Sequence, residues 1–196
     1  MKLFKKMSLL NSIKFTFTAS LFFLIACTGE PGKGTAESGN SKAPSITIHE
    51  AVFMGNLKAI EKHIAAGTDL NEKDAYGSSP LAVAATFGKT EAARALIKGG
   101  ADLNVRGGDG STPLHTAAFF CRTEIVGDLL AAGADASLRN HYGSTALESV
   151  SAPFEDVKAI YDQISKDLGP LGLKLDYEQL RNTRPVIVKM LSENQL

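Results

Sequence analysis

The sequence predicts an all-α chain built as an α-solenoid, an array of stacked helix pairs, and three observations carry that prediction. First, the stretch from Ser111 to Gly143 recurs: moving back 33 positions pairs Pro113 with Pro80, Leu114 with Leu81, Ala117 with Ala84 and Gly133 with Gly100. One period further back, Leu81 falls on Ile48, Ala84 on Ala51, Gly88 on Gly55 and Asn104 on Asn71. Second, the apolar residues inside each period follow helical spacing, as in Ile125, Val126, Leu129 and Leu130. Third, Ser79-Pro80 and Thr112-Pro113 are helix-start pairs, with a hydroxyl at the cap and a ring where the missing N–H loses nothing. A fixed period of this length marks units that bury their apolar faces only against their neighbours.

The chain opens with Lys2, Lys5, Lys6 and Lys14, has no acidic residue before Glu30, and runs through an apolar core from Phe15 to Ala26. This is the pattern of a signal peptide over residues 1–26; the apolar run falls short of the roughly 20 residues that span a bilayer. It ends in Leu24-Ile25-Ala26-Cys27, which resembles the lipobox of bacterial lipoproteins. The resemblance implies cleavage before Cys27 and a lipid on its thiol, and so an anchor on a bacterial envelope membrane facing the periplasm. Thr28, where the resemblance associates Asp with inner-membrane retention, favours the outer membrane. Residues 27–44 follow as the lipidated Cys and a tether rich in Gly, Ser, Pro and Lys, too poor in apolar groups to fold. Its GEPGKGT stretch lacks the G-K-[ST] ending of a phosphate loop and no strand precedes it.

The folded part is expected to divide into repeats over 45–165 and a C-terminal helical cap over 166–196. In the first unit Ile48 and Ala51 take the place of the L-x-x-A pattern, and Leu57, Ile60 and Ile64 form a buried stripe on the second helix, with Gly67 after its end. In the second and third units Leu81, Ala84, Ala85, Leu114, Ala117 and Ala118 form the inner-helix core. Ala92, Ala93, Leu96, Ile97 and the Ile125 to Leu130 set form the outer one. Thr112-Pro113-Leu114-His115-Thr116-Ala117 reproduces the T-P-L-H-x-A signature in full, so this region resembles ankyrin repeats. The resemblance covers roughly Pro44 to Ser165. It implies about four helix pairs joined by projecting β-turn fingers at Asp74–Gly77, Gly107–Gly110 and Asn140–Gly143, with His115 bracing neighbouring units.

The fourth unit keeps Thr145 and Leu147 but has Ala146 for Pro and Pro153-Phe154 where its inner helix ends. Val157-Lys158-Ala159-Ile160 echoes Leu57-Lys58-Ala59-Ile60, which predicts an outer helix there with Ile160 and Ile164 on its apolar face. Residues 168–175 read as an irregular crossing, Asp176 as the cap of a short helix to Leu180, and Pro185 as the start of a last helix carrying Ile187, Val188, Met190 and Leu191.

Charge and chemistry narrow the function. Lys plus Arg and Asp plus Glu are 21 each, and loss of the first 26 residues leaves an acidic chain with no concentrated basic face, which excludes a nucleic-acid reader. His49, His63, His115 and His141 share no metal-ligand spacing, so neither a metal nor a cofactor is expected. After lipidation of Cys27 the one remaining thiol is Cys121, at the repeat position of Gly55 and Gly88. It reads as a small residue tolerated at a helix end, or as a reactive thiol with His115 as its base.

The expected role is a monomeric, non-catalytic protein-binding scaffold or adaptor with its partner on the concave face. In the ankyrin pattern the two residues before the inter-helix Gly face the groove, which nominates Phe53, Met54, Phe87, Phe119 and Phe120; the fingers add Tyr76, Asp109, His141 and Tyr142. Phe87 and Phe120 have a second reading, as rings packed between adjacent repeats. An immunity-type inhibitor of a periplasmic toxin, and a stress or redox accessory using Cys121, are the alternative roles. Replacing Cys27 with Ser removes the only acceptor for the lipid, so the variant is expected to leave the membrane pellet on fractionation. Sedimentation at wild-type size and yield would contradict the lipoprotein reading.

Overall fold

The computed structural model describes residues 43–194, so the expected signal peptide, Cys27 and nearly all of the tether lie outside the described residues. Among the described residues the regular structure is helical, without a strand. Three complete pairs come first: α1 (Ile48–Met54) with α2 (Leu57–Ala65), α3 (Pro80–Phe87) with α4 (Thr90–Lys98), and α5 (Pro113–Phe119) with α6 (Thr123–Ala131). Their starts follow from capping chemistry. The Thr47 hydroxyl accepts from the Glu50 N–H at 3.1 Å while the Glu50 carboxylate accepts from the Thr47 N–H at 2.7 Å, a reciprocal box that satisfies two orphan donors. Ser79 accepts from the Ala82 N–H at 3.3 Å, and Pro80 and Pro113 stand at the first helical position.

The inner helices α1, α3 and α5 pack side by side in one layer, and the outer helices α2, α4 and α6 in a second. Between them Leu81, Ala84, Ala85, Leu96, Leu114, Ala117, Ala118, Ile125 and Leu129 are essentially sealed from water. Small Ala on the inner helices brings the layers close, and each buried Leu or Ile contributes about 1.5–3 kcal/mol relative to exposure. A side-chain ladder runs along the edge after the outer helices. Asn71 Oδ1 accepts from the Asp102 N–H at 2.8 Å, and one unit on Asn104 Oδ1 accepts from the Asp135 N–H at 3.0 Å.

The first unit differs from expectation at Leu57, which is exposed rather than part of the buried stripe; Ile60 carries the core contact and Ile64 is half-buried. The larger difference is in the fourth unit. Its inner helix α7 (Ala146–Ser151) packs on α5, but α8 (Phe154–Leu168) does not take the outer position. That place belongs to α9 (Tyr177–Glu193), which packs against α7 and α6 as α6 packs against α5 and α4. α8 is an insertion between the two helices of the unit, followed by a 3-10 turn at Gly169–Leu171, and the expected boundary after residue 165 falls inside it. It buries Phe154, Val157 and Tyr161 and leaves Ile160 exposed, so the echo of the first unit's outer helix is not a structural equivalence.

The expected break before Pro185 is also absent: α9 is one helix of 17 residues with Pro185 inside it. Leu180, Arg184, Ile187 and Leu191 lie on one face and are buried, and that shared face holds the helix together across the missing backbone N–H. Because α9 completes the core of the fourth unit, Ile187→Ala is expected to destabilise the array by about 2–5 kcal/mol in denaturant unfolding. Val186→Ala, at a position 48% exposed, is expected to change it by no more than about 0.5 kcal/mol.

Candidate functional site

The candidate surface is generated at one repeat position, the end of each inner helix. In the first three units the chain reverses there through a left-handed residue: Gly55 at φ 70°, Gly88 at φ 64° and Cys121 at φ 53°, the one non-glycine with positive φ among the described residues; α7 ends instead at the extended Ala152. Glycine is also required for space in the second unit. A Cβ on Gly88 would lie 3.1 Å from the Arg122 guanidinium carbon, which reaches back from the third unit so that Nη2 donates to the Thr86 carbonyl at 3.0 Å. Lys89 lies across Gly55 in the same sense. At Cys121 the neighbour is α9, to whose Leu180 carbonyl the thiol donates weakly at 3.7 Å.

The nominated residues separate into two groups. Phe53 and Met54 are exposed, at 37% and 61%, and Phe53 meets the half-buried Phe87 edge to face at 4.8 Å. Phe119 and Phe120 form the same kind of edge-to-face pair at 5.3 Å, but there the surface is covered. Tyr161 of α8 stacks on Phe119 at 4.6 Å and donates its hydroxyl to the Phe119 carbonyl at 2.5 Å. Phe120 is buried, with the Arg122 guanidinium 5.9 Å from its ring centre. Phe120 therefore leaves the expected binding set, Phe119 is committed within the chain, and the aromatic row is open only in its N-terminal half.

The fingers stand at the other end of the inner helices. Each closes as a turn, with the Gly77 N–H donating to Asp74, that of Gly110 to Gly107 and that of Gly143 to Asn140, at 2.9–3.0 Å. Tyr76 and Tyr142 are exposed at 70% and 64%. Asp109 and His141 are exposed too, with the His141 N–H donating to the Asp109 carbonyl at 2.9 Å and the Asp109 carboxylate accepting from Ser111. A helix of 8 residues such as α3 is about 12 Å long, so finger tips and phenyl row form two ridges with a helix length between them.

Sequence reasoning missed the residues that close the row. Tyr161 is fully buried, and its hydroxyl accepts from Arg184 Nη1 at 2.9 Å; Arg184 Nη2 donates to the Ala152 carbonyl at 2.7 Å. Burial pushes the Tyr161 phenol up to about 12 and the Cys121 thiol up to about 11, with Arg184 and Arg122 acting in the opposite direction on the thiol. Such a thiol is protonated at neutral pH and is a poor nucleophile. His115 lies below the ordinary imidazole value, mainly through burial, and its Nδ1 pairs with the Thr112 hydroxyl at 2.9 Å while Nε2 pairs with the Ser144 carbonyl at 3.0 Å. That is the brace to the next unit expected of it. No period-33 signal marks Tyr161 or Arg184, because Tyr161 lies within the inserted helix α8 and Arg184 beyond it.

Comparison with known proteins follows this geometry. The family model for ankyrin repeats (3 copies) matches residues 48–147, from the start of α1 to the first turn of α7. Among solved structures, the chain is similar to the ankyrin repeat domain of Bcl-3, a member of the IkappaB protein family, at 29% identity and a TM-score of 0.51. The likeness covers 52% of this chain and 45% of that one, so the chain spans less than half the length of that relative. No curated protein matches the chain.

The left-handed Cys121 supplies a stability test. A thiol ordinarily titrates near 9.0, so as pH rises from about 9 to 11 the unfolded chain loses this proton while the folded chain keeps it. Stability therefore falls across that window. Cys121→Gly is expected to match or exceed wild-type stability by up to about 1 kcal/mol at neutral pH, and to lose the thiol's share of the alkaline decline. Urea unfolding of both proteins at pH 7, 9 and 11 checks this, and slow labelling of the native thiol at pH 8 accompanies it.

Proposed function

Because this chain belongs to the family of ankyrin repeats, we propose that it is a protein-binding scaffold whose contact surface combines the open half of the inner-helix row with the finger tips. The family is typically a protein-interaction module rather than a catalyst. The observation that carries the reading is the exposed apolar cluster of Phe53, Met54 and Leu57 at the N-terminal end of the array. Contiguous apolar groups of this kind lose free energy to water until a partner covers them. Tyr76 and Tyr142 add large amphipathic groups of the type that anchors interfaces. The sequence ending in Cys27 supports a lipid anchor that would hold this surface on the periplasmic side of a bacterial envelope membrane, with the outer membrane favoured and the protein acting as a monomer. A redox role for Cys121 loses ground to its burial and raised pKa.

Photo-crosslinking residues at Met54 and Tyr142 in cells are expected to trap the same protein partner, while one at Val186 on α9 traps none. Equal trapping at Val186, or none at Met54 and Tyr142, would overturn the assignment.

A further inference from the structure

Among the described helices, α8 is the one that the solenoid does not need. α7 packs on α5 and α9 takes the outer place against α7 and α6, so the fourth unit closes its core without it. Of its 15 residues only Phe154, Val157 and Tyr161 are buried, and a helix of this length holds little order by itself in water. Its ties to α9 along the edge are solvent-exposed, as in the pair of Glu155 with Arg181, and such pairs add little. Both of its joints have the freedom of a hinge. The chain enters α8 through the extended Ala152, at φ −62° and ψ 146°, and leaves it through Gly169 and the left-handed Gly172 at φ 94°, where a Cβ on either glycine would meet nothing within 4 Å.

Beneath α8 the packing leaves a polar group underprovided. Arg184, 4% exposed, gives Nη1 to the Tyr161 hydroxyl and Nη2 to the Ala152 carbonyl at the entrance to α8, and its Nε has no partner in the protein. A guanidinium so placed regains hydration when α8 lifts, which offsets part of the cost of returning three apolar side chains to water. Two groups lie under the same cover. The Tyr161 hydroxyl donates to the Phe119 carbonyl at 2.5 Å, and the Cys121 thiol stands 4.0 Å from that oxygen. Phe119 has the repeat position of Phe53 two periods on, yet it is half-buried because the Tyr161 ring lies on it at 4.6 Å. We propose that α8 is a hinged strap, which lifts from the array as one unit with the four helix pairs intact and so switches Phe119 and the Cys121 thiol between covered and open states. The use of that switch rests on the protein-binding reading above: an open Phe119 extends the contact surface, and the closed strap competes for it within the chain.

Native-state hydrogen exchange and thiol labelling of the full chain, across a urea series below the unfolding transition, test the strap. The amides of α8 are expected to exchange through a common opening whose urea dependence is no more than about a quarter of that for global unfolding, because little surface is exposed. Cys121 is expected to label at the rate which that opening sets, while the amides of α6 and of α9 from Leu180 to Ile187 stay protected up to the global limit. Tyr161→Phe keeps the ring and loses both hydroxyl bonds, so it is expected to speed the exchange and the labelling together by about tenfold. Exchange of α8 in step with α9, or labelling of Cys121 only along the line of global unfolding, overturns the proposal. In the Tyr161→Phe chain the crosslink from Met54 is expected to rise in yield; an unchanged yield refutes the competition. None of the exchange or labelling measurements needs a partner. Absence of any crosslink at Met54 and Tyr142 therefore removes the scaffold reading and leaves the strap to its own test, whereas a strap that never opens leaves the scaffold reading in place.

Discussion

The reversal of the chain at the end of each inner helix governs this array. In the first three units a left-handed residue there turns the backbone into the outer helix, and in all four the helix's last carbonyls lie where intrahelical donors have run out. Partly buried carbonyls cannot be left dry without a cost of about 1–3 kcal/mol each. In the second, third and fourth units a donor from further along the chain meets the need: Arg122 of the third unit, Tyr161 of the inserted α8 and Arg184 of α9 in turn. The stack therefore has a direction. A unit is completed in its polar groups, as well as in its apolar face, from its C-terminal side, which is the nearest-neighbour coupling of a solenoid expressed in individual hydrogen bonds.

That direction accounts for the irregular end. At the repeat position of Arg122 the fourth unit has Glu155, and an ionised carboxylate has no proton to give to a carbonyl. Glu155 turns instead to Arg181 at 2.5 Å, and the cap on Phe119 is supplied from the inserted helix by Tyr161. Placing a phenol there brings Arg184 with it. This guanidinium is only 4% exposed and holds both the Tyr161 hydroxyl and the Ala152 carbonyl, while its Nε has no partner in the protein. An arginine so buried is expensive unless its bonds are made, and these two bonds pin α8 and α9 to α7 in one geometry. Burial there raises the thiol of Cys121 against the opposing charges of Arg184 and Arg122, and the left-handed backbone of this residue points its thiol at the Leu180 carbonyl of α9.

The helix pairs of the first three units were legible because local and periodic signals agree there. Ser79-Pro80 and Thr112-Pro113 start helices, Gly55 and Gly88 end them, and Leu81 and Leu114 point where the 33-residue period requires. The fourth unit was not, since Val157 to Ile160 matches Leu57 to Ile60 and helical spacing is blind to which neighbour a helix will meet. Pro185 misled for the opposite reason: its local signal is real, but the buried face from Leu180 to Leu191 overrides it. At the candidate site, the exposure of Phe53, Met54 and Tyr142 followed from their repeat positions. The burial of Phe120 matches its second reading as a packed ring, but the covering of Phe119 did not follow, because the ring that covers it comes from 42 residues away, from an insertion that the repeat cannot foretell.

The two layers also differ in how their surfaces are satisfied. On the outer helices Arg94 bridges Glu91, Glu124 and Asp128 at 2.8–3.2 Å, spanning two units. All four groups are solvated, so the network adds little stability, but it leaves that face with its charges matched and little for a partner to gain. Ile160, Leu171 and Val186 are exposed apolar residues dispersed over the C-terminal elements. In the first unit Phe53 and Met54 at the end of α1 and Leu57 at the start of α2 are exposed within five residues of one another, on a helix fixed by a capping box. A ligand that covers them removes apolar area from water without having to order the surface first. Preorganisation of that kind leaves more of the burial energy for binding, at the end of the row that the described residues leave exposed.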